Sequence, residues 1–270
     1  MPELPEVETT VRGLSRVLEG QRIDSVEVRR SDLRRPFPDG LGQVLTGATV
    51  MRLGRRAKFG IIETDRGDAV IFHLGMSGRW RIDPEEIGKH DHLVLTSGDR
   101  VLSLNDPRRF GSVDLVRNDA LAEFEPFVGL GPEPVAGEVS GKQLRKALAG
   151  RKAAIKLLLL DQRVIAGLGN IYVCEALWRS KIHPKRAGGR ISLERLDRLA
   201  GDIVDVIAEA IEAGGSSLRD FAAPDGELGY FAKRFDVYGR EGEDCRRCDG
   251  TIRRIVQGAR STFFCPSCQT

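Results

Sequence analysis

Pro2-Glu3-Leu4-Pro5-Glu6-Val7-Glu8-Thr9 opens the chain, and the residues alone support two readings of it. In the first, Pro2 and Pro5 start a helix, because proline is welcome in the first turn, where its missing N–H costs nothing. Val7, Val11, Leu14 and Leu18 then recur at helical spacing through residues 5–19, and Gly20 follows as a stop. In the second, Pro2 becomes the first residue once Met1 is removed, and its nitrogen is a free secondary amine. An α-amine titrates roughly two to three units below a lysine, so more of it is unprotonated near neutral pH. Attack by a secondary amine on a sugar C1′ carbon gives an iminium that is cationic by necessity, the electron sink of Schiff-base catalysis. Glu3 stands beside it as a proton shuttle.

Beyond this helix the period changes. From about residue 22 to 116, short β-rich runs at 25–28, 60–63, 69–72, 92–95, 100–104 and 112–115 are separated by turn signals such as Asp65-Arg66-Gly67-Asp68 and Ser97-Gly98-Asp99. That rhythm predicts an antiparallel sandwich. Residues 117–140 crowd Gly129, Gly131, Pro132, Pro134 and Gly137 into a connection. Helical periodicity returns at 142–149, 152–161, 170–180 and 192–213, with Ser192 as the N-cap of the last helix. The expected organisation is a β domain over 1–116, a linker over 117–140, a helical domain over 141–235 and a cysteine module over 236–270. The fold class is α+β.

Four of the five cysteines read Cys245-x2-Cys248-x16-Cys265-x2-Cys268, the spacing of a zinc ribbon. Two C-x2-C turns complete a tetrahedral shell of four thiolates and leave no open position, so the expected cofactor is one structural Zn2+. A disulfide pair is the competing reading, disfavoured in a chain that carries no secretion signal. Cys174, inside a helical pattern, reads as a small buried hydrophobe.

In a chain of 270 residues, 42 Lys and Arg face 39 Asp and Glu, so net charge alone does not point to nucleic acid. The distribution is uneven: eight basic residues lie between Arg29 and Lys58 against Asp32 and Asp39. Clustered arginine suits phosphate, and equally a solvated charged face. No run approaches the roughly 18 apolar residues of a membrane helix, and the acidic opening lacks a signal-peptide core. A cytoplasmic protein without membrane association, monomeric by default, is expected.

Several motifs in order resemble the bacterial formamidopyrimidine-DNA glycosylase family, which excises 8-oxoguanine. They are the opening octapeptide, Arg55-Arg56-Ala57-Lys58, His73-Leu74-Gly75-Met76-Ser77-Gly78, Lys89-His90-Asp91-His92, Asp106-Pro107-Arg108-Arg109-Phe110-Gly111, Gly167-Leu168-Gly169-Asn170-Ile171-Tyr172, Gly229-Tyr230-Phe231, Val237-Tyr238-Gly239-Arg240, and the cysteine module with Ala259-Arg260-Ser261-Thr262-Phe263. The resemblance spans essentially the whole chain. It implies an N-terminal catalytic β-sandwich, a helix–two-turn–helix DNA-binding domain and a β-hairpin zinc finger acting on damaged double-stranded DNA in the bacterial nucleoid.

Residue by residue, the resemblance implies that Pro2 is the nucleophile and Schiff-base former and Glu3 the proton donor. Lys58 then serves β-elimination, and Arg260 the δ-elimination. Because a stacked base is out of reach, it must be flipped out and its space filled. Met76, Arg108 and Phe110 match the intercalating trio, although Met76 and Phe110 read without the family are core candidates. The glycines of one turn and two preceding arginines of the other favour exposed loop tips. His90, Arg108, Arg109, Arg151, Lys156 and Asn170 match DNA-contacting positions. Arg151 stands where lysine is equally expected. His73 and His92 are expected to hold hydrogen bonds within the β half. The stretch from Ser216 through Gly226 to Tyr230 reads as a loop over the flipped base.

Two alternatives remain at this point: an oxidised-pyrimidine glycosylase of the endonuclease VIII type, and a non-catalytic zinc-finger DNA-binding protein, which would have no use for a free proline amine.

Overall fold

A computed structural model describes residues 2–216, 224 and 229–270. The chain divides into two compact units, one formed by residues 1–128 and 213–230, the other by 129–212 and 231–270. The first division falls inside the Gly/Pro-rich connection, after three-residue and six-residue 3-10 helices.

In the first unit, α1 (Leu4–Leu18) buries Val7, Val11, Leu14 and Leu18 along one face. Burying each such side chain contributes about 2 kcal/mol before entropy is charged against it. Two four-stranded antiparallel sheets receive that face. One has the order β1 (Ser25–Val28), β6 (Asp91–Ser97), β7 (Arg100–Asn105), β5 (Arg79–Ile82). The other has the order β2 (Val50–Arg56), β3 (Phe59–Thr64), β4 (Asp68–His73), β8 (Ser112–Arg117). A short helix, α2 (Leu41–Leu45), lies between β1 and β2 in sequence. Leu53, Ile62, Val70 and Phe72 of one sheet meet Trp80, Leu93, Leu95, Leu102 and Leu104 of the other in a single core. The Phe72 and Trp80 rings cross edge-on at 5.6 Å between centroids. The sandwich is therefore as expected, with two strands added. β5 alternates Arg79 and Arg81 with Trp80 and Ile82, and β2 carries Arg52, Arg55 and Arg56 across a register shift between Val50 and Arg52, so the apolar signal of both is diluted.

In the second unit, α3 (Gly141–Leu148) is closed by a capping box in which Ser140 accepts from the Gln143 N–H. The helix expected over 152–161 is only α4 (Ile155–Leu159). Its first turn is lost because Ala153–Ile155 pairs with Arg186–Gly188 in a short bridge, spending the backbone groups a helix would need. α5 (Asn170–Arg179) and α6 (Leu193–Glu212) match their expected spans, and the Arg195 N–H donates to Ser192 Oγ at 3.4 Å. Among the described residues no helix is long and apolar enough to cross a membrane. The unit ends in a hairpin, β9 (Arg253–Gln257) and β10 (Arg260–Phe264). Gly258 and Ala259 both have positive φ, the geometry of a two-residue turn matched to strand twist.

Candidate active site

Pro5 does start α1, in its first turn, with Glu3 as the N-cap, and that start positions the candidate nucleophile, Pro2, just ahead of the helix. Glu3 is extended (φ −102°, ψ −171°), and its carbonyl accepts the Val7 N–H at 3.1 Å. Pro2 and Glu3 are both buried. Glu6 fixes them. One carboxylate oxygen accepts the Glu3 N–H at 2.8 Å, and the other accepts both the N–H and the hydroxyl of Ser216 at 2.8 Å. Sequence reading passed over Glu6 as one more acid in an acidic opening. Its partner 210 residues away leaves no local signal.

Lys58 sits with Ala57 at the two-residue turn joining β2 and β3, and is 7% exposed. Ala57 holds φ +51°, a left-handed conformation that costs a non-glycine residue roughly 1 kcal/mol. The turn is held by Arg55, whose Nε donates to Glu8 and whose Nη1 donates to the Ala57 carbonyl, both at 2.9 Å. The buried guanidinium thus ties the Lys58 turn to the second turn of α1.

His73 and His92 hold internal hydrogen bonds. His92 Nε2 donates to the Asp106 carbonyl at 3.0 Å, and His73 Nδ1 accepts the Gly75 N–H at 3.0 Å. His73 borders a cleft of about 330 Å³ with Arg34, Arg35, Phe59 and Phe110. Burial first, then the cations Lys58, Arg34 and Arg35, push its pKa down from 6.5 to about 4. The unfolded chain therefore takes up a proton below pH 6.5 that the folded chain refuses until about pH 4. Stability contributed by neutral His73 is complete above pH 6.5 and is lost as pH falls through that window. The expected loss from pH 7 to pH 4 is about 3 kcal/mol. Denaturant unfolding at the two pH values should show it in the wild type, and a His73→Gln variant should lack that component. An equal pH dependence in both would refute the assignment.

The three intercalation candidates share one edge of this unit. Met76 is 37% exposed and Phe110 46%, so neither is core, and the Arg108 guanidinium lies 4.9 Å over the Phe110 ring. Gly75 is required here: it holds φ +61°, and a Cβ would come within 2.3 Å of the Phe110 carbonyl carbon. Beneath the tips, the fully buried Asp106 accepts the Ser77 hydroxyl at 2.7 Å and the Gly111 N–H at 2.8 Å. Arg109, with φ +57°, is 3.8 Å from Asp32, and His90 is half-buried with its ring 6.3 Å from that of His92.

In the second unit, the turn before Asn170 is organised by a residue that sequence reading missed. Gln162 accepts the Gly167 N–H at 2.8 Å and donates to the Leu168 carbonyl at 2.9 Å. Asn170 does not present its amide outward: Nδ2 donates to the Ser261 carbonyl at 2.9 Å. Lys156, matched to a DNA-contacting position, lies beside the same carbonyl. It is fully buried, and its ammonium lies 3.4 Å from the same Ser261 carbonyl, because α4 runs beneath the hairpin. Both residues hold the backbone one position after Arg260, which is exposed at the head of β10. Arg151 is exposed and 3.7 Å from Asp161. Glu175, buried in α5, accepts the N–H groups of Asp236, Val237 and Tyr238 at 2.8–3.1 Å. Burial pushes its carboxyl pKa up, opposed by those three donors. The expected base-covering loop lies, between Ser217 and Leu228, almost entirely outside the described residues.

Cys245, Cys248, Cys265 and Cys268 converge with all four Sγ atoms within 4.8 Å of one another. Sulfur pairs at 3.2, 3.6 and 3.8 Å lie at or inside the edge of about 3.8 Å expected for four sulfurs 2.3 Å from one ion. The N–H groups of Arg247 and Gly250 point at Cys245 and Cys248 sulfurs, each at 3.4 Å, as they do toward thiolates. The donor set fits one structural zinc. Cys174 is buried, packed from α5 against this module with Trp178.

These features coincide with known proteins along the whole chain. Residues 1–113 match the formamidopyrimidine-DNA glycosylase N-terminal domain, and residues 130–222 the H2TH domain of the same enzymes. Residues 242–270 match a zinc finger found in FPG and IleRS. Proteins named formamidopyrimidine-DNA glycosylase from Novosphingobium aromaticivorans and Rhizorhabdus wittichii are 66% and 67% identical, each over 100% of both chains. A solved complex of a Lactococcus lactis FPG variant with Fapy-dG-containing DNA is 37% identical, covers 100% of both chains and superposes with a TM-score of 0.92. A second Lactococcus lactis complex, with abasic-site DNA, is 37% identical over 99% of both chains, with a TM-score of 0.91. With its N-terminal, helical and zinc-finger parts all matched in order, this chain belongs to the formamidopyrimidine-DNA glycosylase family.

Proposed function

We propose that this protein removes oxidised purines, 8-oxoguanine and formamidopyrimidines, from duplex DNA and then cleaves the abasic site by β,δ-elimination. The Pro2 amine, freed of Met1, attacks C1′ and the bond to the base breaks, its electron pair leaving with the base. Glu3 supplies the proton that accompanies base release; the C1′–O4′ bond then breaks, O4′ taking the proton lost by the Pro2 nitrogen, and the opened sugar is held as a Pro2 iminium. That iminium acidifies C2′–H; loss of the proton expels the 3′-phosphate, and a second elimination expels the 5′-phosphate. Lys58 and Arg260 neutralise the departing phosphates. Met76, Arg108 and Phe110 fill the space vacated by the everted base, with Arg108 facing the orphaned cytosine. His90, Arg109 and Arg151 contact phosphates directly, while Lys156 and Asn170 hold the Arg260 hairpin. One zinc on the four cysteines folds the finger. The domains are assigned as 1–116, 141–235 and 236–270 about a linker, and the enzyme works as a monomer in the bacterial cytoplasm, on DNA and without a membrane.

The observation that carries this reading is the buried Pro2–Glu3 pair, held at the head of α1 by the Glu6 carboxylate. A DNA-binding module without chemistry has no need of it, and the relatives' names favour oxidised purines over oxidised pyrimidines. Glu3→Gln should slow release of 8-oxoguanine on the order of a hundredfold. Cleavage of a pre-formed abasic site should fall far less. Single-turnover assays on the two substrates decide it; equal losses would assign Glu3 to folding or binding.

A further inference from the structure

Two loops far apart in sequence carry the filler side chains: the Leu74–Gly78 turn with Met76, and the 106–111 loop with Arg108 and Phe110. Each is short, exposed at its tip and unable to resist a lateral push alone. A wedge entering a base stack works against an unstacking cost of a few kcal/mol per step, so independent tips would bend aside rather than displace a base.

Asp106 and Ser77 remove that independence. The Asp106 carboxylate is fully buried and divided between the loops, one oxygen accepting the Ser77 hydroxyl and the other the Gly111 N–H. Ser77 Oγ in turn accepts the Arg108 N–H at 3.3 Å. The Asp106 carbonyl accepts the Arg109 N–H at 3.2 Å and the His92 ring N–H at 3.0 Å, rooting the loop in β6. The contact at Gly75 then closes the loops against each other without room for a side chain. We propose that Asp106 and Ser77 are positioning residues that lock Met76, Arg108 and Phe110 into one rigid wedge, so that base eversion is driven by a single body. The inference rests on the reading of those three residues as the filler.

The test is a double-mutant cycle in zinc-loaded, full-length protein, read as single-turnover release of 8-oxoguanine opposite cytosine. Ser77→Ala removes the link while leaving the Asp106–Gly111 bond, and should slow base release roughly tenfold, the scale of one hydrogen bond to a charged group. Cleavage of a pre-formed abasic site, which has no base to evert, should change by less than about threefold. Asp106→Asn, whose amide can still bridge Ser77 and Gly111 with one bond reversed, should retain most of the wild-type rate. The deciding number is the coupling to Phe110→Ala: Ser77→Ala should add less than about twofold on that background. If Phe110→Ala alone leaves base release unchanged, the filler reading falls and this inference with it. If Phe110→Ala is slow but the two losses multiply, the filler reading stands and the locked wedge is overturned. Equal losses on both substrates with a lowered thermal midpoint would also overturn it, assigning Ser77 to general stability.

Discussion

Protein that retains Met1 is expected to lose abasic-site cleavage on the order of a thousandfold or more, while still binding the damaged duplex. With Met1 attached, the Pro2 nitrogen is a tertiary amide whose lone pair is delocalised into the carbonyl, and it cannot attack C1′. Free of Met1, the same nitrogen is an α-amine, a class that titrates roughly two units or more below lysine, so more of it than of a lysine is unprotonated at neutral pH. Its placement is already determined: the Glu6 carboxylate holds the next residue's N–H at 2.8 Å, so little ordering remains to be done on binding. The measurement is borohydride trapping on a duplex carrying 8-oxoguanine opposite cytosine, with intact mass confirming the state of the N-terminus. Peptide mapping should place the adduct on the peptide beginning at Pro2, and Met1-bearing protein should give none. Full lyase activity with Met1 attached, or an adduct at Lys58, would overturn the assignment of the nucleophile.

How much of this was legible in the sequence depends on where each residue finds its partner. The α1 face, the cysteine spacing and the exposed Met76 and Phe110 turns were readable because their signals are local: a 3.6-residue period, two C-x2-C turns, and glycines or arginines flanking an apolar tip. The groups that hold the site in place were not. Glu6, Asp106 and Glu175 look like ordinary polar residues in the chain, yet each is spent on donors from another segment: Ser216, Ser77, and the backbone of residues 236–238. Gln162 finds its partners within six residues, but in a turn whose backbone path its own residue type does not announce. The basic run from Arg29 to Lys58 suited phosphate and a solvated face equally, because its partners lie elsewhere: Arg55 is buried against Glu8, Arg35 pairs with Asp114 and Arg52 lies 4.0 Å from Glu63, so part of the excess is neutralised by acids outside the run. Lys156, at a position matched to DNA contact, also has its ammonium 3.4 Å from a backbone carbonyl of its own chain. Charge counted along a chain measures a phosphate surface only after internal pairs are removed.

Removing the zinc should disturb the second unit and spare the first, and the two tryptophans can report each by itself. The cysteine module has few buried apolar residues of its own, Val237, Ile252, Phe264, Cys245 and Cys265, and its cluster rests on Cys174 and Trp178 of α5. Its only sheet is the β9–β10 hairpin, and an isolated two-stranded hairpin is marginal in water. Zinc binding at four-ligand fingers supplies on the order of 10 kcal/mol of folding free energy, more than so small a core can replace. Chelation, or Cys248→Ser, should therefore unfold the hairpin, release Arg260 from its place beside the Lys156–Asn170 clamp, and weaken binding to damaged duplex by about a hundredfold or more. Trp178 lies 3.9 Å beneath the Arg247 guanidinium at the edge of the module, whereas Trp80 is buried in the β-sandwich core. In a Trp80→Phe background the remaining emission should shift to the red on chelation; in a Trp178→Phe background it should not move. Undiminished DNA binding by protein shown by metal analysis to be zinc-free would make the finger dispensable. A shift in Trp80 would instead mean that metal loss unfolds the β-sandwich as well, and that the finger's contribution to binding cannot be separated from the stability of the fold.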